Sequence, residues 1–167
     1  MAGTCRSRDE VSLPFPPAMV WRALTELPAY PVWWPMHVQI RVLNLLPELL
    51  GSQVEFRPRG GLRFVCEIAE AEPHSTLRMN YVCGLFAGRG IWTLEPLEDG
   101  ATRLAYDVDI HVRGRALAML ASLVDLKAHH VRLMRHIFQG LQEHLARQPW
   151  PSLDGTGRSA FMRLISN

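Results

Sequence analysis

Between Ala116 and Arg147 the apolar residues recur at helical spacing. On a wheel turning about 100° per residue and centred on Leu123, one side carries Met119, Leu120, Leu126, Val131, Leu133, Met134, Ile137, Phe138, Leu141 and Leu145. The other side carries Arg132, Arg135, Gln139, Glu143 and Arg147. The spacing predicts one helix about 45 Å long at roughly 1.5 Å per residue. That exceeds the width of a small domain, so the stripe needs a broad partner surface, and a sheet supplies one. Lys127 and His130 interrupt the stripe. In one reading the Lys127 stem reaches the rim and His130 makes a single buried hydrogen bond; in the other, this part of the helix faces a cavity and both are polar contacts for a ligand.

Upstream, the period changes to two. Val11, Leu13 and Phe15 predict a short edge strand that prolines terminate. Pro16 and Pro17 then open a helix to about Leu27, with Val20, Trp21, Leu24 and Leu27 on its inner face. Tyr30 to Met36 is too aromatic and too proline-broken for a regular element and reads as a short helical turn. Its Trp33 and Trp34 either plug the sheet or meet a ligand. Six alternating runs follow: Val38–Val42, Val54–Phe56, Leu62–Ile68, Leu77–Cys83, Trp92–Leu94 and Leu104–Ile110. Turn residues separate them, among them Gly60-Gly61 and the hairpin signal Glu98-Asp99-Gly100.

Six consecutive strands on short links cannot form a parallel sheet, whose neighbours need crossovers of a dozen or more residues. The expected fold is therefore α+β: a helix-grip arrangement in which a curved antiparallel sheet of about seven strands wraps a long C-terminal helix, with two short helices after the first strand. Residues 1–8 read as an N-terminal extension, 9–147 as the domain, and 148–167 as a tail. In that tail Phe161 to Ile165 would dock on the surface or on a neighbouring chain, the latter giving a homodimer.

The 167 residues suffice for one domain with a real core, and 48% hydrophobic with 20% charged residues is ordinary for a soluble chain. A net charge of +2 with scattered arginines lacks the footprint of a nucleic-acid binder. No apolar run reaches the roughly 18 residues of a membrane span, so no integral membrane segment is expected. Cys5, Cys66 and Cys83 are odd in number and lack CxxC spacing, which suits a reducing cytoplasm. No metal or cofactor is expected. His129 and His136 share a helix face but lie about 10 Å apart. Gly84, Gly88 and Gly90 do not make a phosphate loop, and no G-x-S-x-G supports serine hydrolysis.

Four motifs in order resemble the START-like superfamily, also called SRPBCC or Bet v 1-like, of the polyketide cyclase/dehydrase and lipid-transport type. They are L-P-F-P-P-A-M-V-W at Leu13 to Trp21, Y-P-V-W-W-P at Tyr30 to Pro35, G-R-G-I-W-T-L-E-P at Gly88 to Pro96, and E-D-G-A-T-R-L-A-Y at Glu98 to Tyr106. The resemblance implies a deep apolar cavity between sheet and helix. It places Trp33, Trp34, Phe64, Met79, Tyr81, Trp92, Tyr106, Met119, Leu123, Lys127, His130 and Met134 near a ligand. Two functions follow from it: binding or transport of a hydrophobic or aromatic small molecule such as a lipid, polyketide or isoprenoid, or polyketide cyclization and dehydration in the same cavity. The second needs an acid or base and a donor for an enolate-like oxygen. His130 suits the first role, Tyr81 and Tyr106 the second, with Lys127 as an electrostatic alternative.

Overall fold

The structure, a computed structural model, describes residues 3–121 and 125–149. Its strands are β1 (Thr4–Leu13), β2 (Val38–Asn44), β3 (Gln53–Pro58), β4 (Phe64–Glu72), β5 (Thr76–Gly84), β6 (Phe86–Pro96) and β7 (Thr102–Val112). Between β1 and β2 lie α1 (Pro17–Thr25), a 3-10 turn (Leu27–Ala29) and α2 (Tyr30–Trp33); after β7 come α3 (Arg115–Ala121) and α4 (Leu126–Arg147). The strands form one antiparallel sheet in the order β1-β7-β6-β5-β4-β3-β2, so each consecutive pair from β2 to β7 is a hairpin and only β1 returns across the sheet. Met134, Ile137, Phe138, Leu141 and Leu145 of α4 are buried in one core with inward residues of the sheet such as Phe56, Ile68, Leu77 and Leu104. This is the helix-grip architecture that the alternation predicts.

Three elements differ from expectation. The first strand begins at Thr4 rather than Val11, pairing with β7 from Thr4↔His111 to Leu13↔Thr102. Residues 4–8 therefore belong to the sheet instead of preceding it. Its inward positions include Ser7 and Asp9, which interrupt the apolar alternation and hide the strand's first half.

The expected single helix from Ala116 to Arg147 is two helices. Asp125 caps α4, its carboxylate accepting a hydrogen bond from the Ala128 N–H at 2.9 Å. That cap stops the wheel centred on Leu123 from running through, and α4 alone is about 33 Å long at 1.5 Å per residue.

Strand β6 begins at Phe86, six residues before Trp92. Its inward positions 88 and 90 are glycines, so the sequence carries no apolar signal there. Gly90 has a steric reason: a Cβ at that position would lie 2.0 Å from the Tyr106 hydroxyl.

The β6–β7 hairpin forms at the D-G pair as read, with Gly100 at φ +80 and its N–H donating to Leu97 O. The helical turn at Tyr30 is anchored by its phenol, which donates to the Leu24 carbonyl at 2.6 Å, and by the rings of Trp34 and Phe56. The tail segment from Phe161 to Ile165 lies outside the described residues. No helix among the described residues is long and apolar enough to cross a membrane.

Candidate functional site

A cavity of about 500 Å³ separates the concave face of the sheet from the first half of α4. Its mouth lies between the β3–β4 loop (Gly60, Gly61, Leu62), the β5–β6 junction (Leu85, Phe86) and the start of α4 (Leu126, His129). One wall is a run of rings. Trp34 lies 4.8 Å from Phe56, Phe56 stacks on Phe64 at 5.3 Å, and Phe64 stacks on Tyr81 at 5.5 Å with Phe86 edge-on. The sheet aligns them because inward positions on neighbouring strands stand side by side, as in the pairing Phe56↔Phe64. The opposite wall is Trp92 against Tyr106 at 4.4 Å, with Met79, Leu133, Met134 and Ile137 beside them.

Few polar groups reach this space. The Tyr81 and Tyr106 hydroxyls are 3.0 Å apart, one donating to the other. His130 stacks on Tyr106 with ring centroids 6.0 Å apart. Its Nε2 approaches Asp9 Oδ2 at 3.4 Å, but the approach misses hydrogen-bond geometry and Nε2 has no other partner. Asp9 in turn accepts a hydrogen bond from the Ser7 hydroxyl at 3.0 Å.

Burial governs the protonation of the lining. It pushes both phenols well above the ordinary tyrosine range and raises the Cys5 and Cys66 thiols, so all four stay neutral at neutral pH. It lowers His130 below the usual imidazole value, against an opposing pull from Asp9, leaving an uncharged ring. No Asp, Glu, Lys or Arg lines the cavity among the described residues. The chamber is thus uncharged, with a phenol pair and an imidazole as its hydrogen-bonding groups.

Of the residues expected at a ligand, Trp34, Phe64, Met79, Tyr81, Trp92, Tyr106, His130 and Met134 line the cavity. Three do not. Trp33 is 3% exposed and packs in the core against Tyr30, because adjacent residues of a helical turn point about 100° apart and Trp34 takes the cavity side. Met119 is 73% exposed on α3, and Lys127 is exposed, lining an outer cleft with Arg6, Arg8 and Asp109. Both were phased from a helix that the Asp125 cap interrupts. Leu123 lies outside the described residues. Among the candidate catalytic groups, His130, Tyr81 and Tyr106 come together and Lys127 stays apart.

Sequence reasoning missed Cys5, Phe56, Cys66, Leu85 and Phe86 as lining residues. Phe86 was readable by treating Gly88 and Gly90 as inward members of the run that ends in Trp92 and Leu94. Cys5 required the register of β1, which alternation alone does not carry.

Residues 4–146 match the profile of the family described as polyketide cyclase / dehydrase and lipid transport. The chain belongs to this family. A comparison with curated proteins gives no match. Among solved structures, this polyketide cyclase/dehydrase and lipid-transport chain is similar to TTHA0849 from Thermus thermophilus, with a TM-score of 0.69, 19% identity, and coverage of 85% of this chain and 97% of that one. It is also similar to a START superfamily protein from Mycobacterium smegmatis (TM-score 0.66, 14% identity, 85% and 97% covered). A third is Ara h 8.0201 (TM-score 0.65, 17% identity, 87% and 100% covered). At these identities the likeness is one of fold, START-like and Bet v 1-like.

Proposed function

We propose that this family member binds an apolar, ring-bearing small molecule in the cavity and carries or presents it. The observation that supports this most is the uncharged chamber of about 500 Å³ walled by aromatic and methionine side chains, a size and lining suited to a ligand of a few hundred daltons. The paired phenols would orient a carbonyl or hydroxyl on such a ligand, since each can donate or accept. A second reading, a cyclase or dehydratase of the same family, draws support from one arrangement: a neutral imidazole stacked on a phenol whose hydroxyl pairs with another. There His130 would take a proton and the phenol pair would donate to the developing oxygen.

The test is native mass spectrometry of the purified protein, followed by identification of what denaturation releases and titration with the uncharged fluorescent probe N-phenyl-1-naphthylamine. The expected result is an apolar molecule released unchanged, or saturable probe binding at micromolar level or tighter, roughly −8 kcal/mol. Recovery of a cyclized or dehydrated form of a supplied ligand would favour the enzyme. No released molecule together with no probe binding would refute both.

A further inference from the structure

We propose that the mouth end of the molecule docks on an anionic lipid bilayer, with Leu62, Leu117 and Met119 seated among the headgroups. The inference goes beyond ligand binding and rests on how charge is distributed along the fold. The antiparallel register sets the mouth segments side by side: Leu85 N–H donates to Arg63 O, and Arg113 N–H donates to Leu85 O. The β3–β4 loop and the segment leading through α3 carry Arg59, Arg63, Arg113 and Arg115, all exposed.

Among the described connecting residues at this end, Asp125 is the one carboxylate, and it is engaged in capping α4. Arg63 shares the buried Glu55 with Arg41. The Arg113 guanidinium donates to the carbonyls of Tyr81, Val82 and Phe86, which fixes it at the rim without neutralizing it.

The opposite end has the reverse sign. The β2–β3, β4–β5 and β6–β7 connections hold Glu48, Glu98 and Asp99, with Glu72 ending β4, and no Lys or Arg. A net charge of +2 therefore conceals an end-to-end polarity that an anionic plane would align, drawing the mouth inward and repelling the far end.

Apolar side chains make the mouth suited to a bilayer in particular. Leu62 is 52% exposed, Leu117 39% and Met119 73%, interspersed with the arginines in the way interfacial segments combine cations and apolar anchors. The exposed Leu43, Leu45, Leu46 and Leu50 lie instead at the acidic end, where an anionic surface is disfavoured. Docked this way, the cavity would open directly onto the hydrocarbon boundary.

The experiment is co-sedimentation of the full chain with vesicles of phosphatidylcholine mixed with phosphatidylglycerol, against phosphatidylcholine alone. Binding to the anionic vesicles is expected to be at least about tenfold tighter at low salt and to fall as salt is added. The double variant Arg59→Glu/Arg115→Glu should lose about tenfold or more of it, and Leu117→Gln/Met119→Gln should weaken it too. Glu98→Gln/Asp99→Asn, at the far end, should not weaken it. Circular dichroism confirms that each variant is folded. Equal partition into both vesicle types, insensitivity to the charge reversal, or capture by a soluble polyanion such as polyglutamate without vesicle binding would overturn the proposal.

Discussion

The double variant Cys66→Phe/Leu133→Trp is expected to bind N-phenyl-1-naphthylamine about a hundredfold more weakly than the native chain while remaining folded, as read by fluorescence titration beside a thermal melt. Cys66 stands on β4 and Leu133 on α4, so the two added ring systems enter the chamber from facing walls. Enlarging a side chain in a full core costs about 1–3 kcal/mol because neighbours must leave their rotamers. Here the added atoms occupy a space of about 500 Å³ that the native side chains leave open. The effect should therefore fall on binding more than on stability. A double variant that binds the probe like the native chain would place the probe elsewhere on the surface. One that fails to fold would indicate that Cys66 and Leu133 pack against solid core.

Gly140→Ala is expected to destabilize the fold by about 3 kcal/mol, lowering the melting temperature by roughly 6–12 °C for a chain of this size. Propensity alone predicts the opposite, since alanine in a helix interior gains roughly 1 kcal/mol over glycine. The decisive fact is a contact: a Cβ at position 140 would lie 2.0 Å from the Trp33 carbonyl oxygen. That oxygen is backbone, held by the short helix whose Tyr30 phenol donates to Leu24 O and whose Trp33 and Trp34 rings pack on Tyr30. Relief requires moving α2 away from α4 and with it Trp34, which walls the cavity. A melting temperature within a degree of the native value would mean that α2 does not sit this tightly on α4.

The alternation of strands β2 to β7 was legible because each has one apolar and one wet face, and their short links leave antiparallel pairing as the sole solution. Elements whose inward positions are not apolar were hidden. Ser7 and Asp9 masked the first half of β1, and Gly88 and Gly90 masked the first half of β6. A helical wheel also assumes an unbroken helix, and the Asp125 cap voided it upstream, sending Met119 and Lys127 outside while leaving the phase of His130 and Met134 correct.

The phenol pair illustrates what periodicity does and does not carry. It placed Tyr81 and Tyr106 on inward faces, but their meeting at 3.0 Å depends on the missing Cβ of Gly90 across two strands. Likewise, the Asp9 approach to His130 joins residues 121 positions apart, a distance that no local pattern spans.

The account depends on an apolar hollow held between the curved sheet and α4, and diffraction from a crystal pressurized with xenon tests it most directly. Such cavities admit xenon because it needs no hydrogen bonds and gains dispersion contacts with an apolar lining. The predicted result is xenon density, or that of a co-purified molecule, in the space bounded by Phe64, Tyr81, Trp92 and Met134. An interior filled there by the protein's own side chains, with xenon absent, would contradict it.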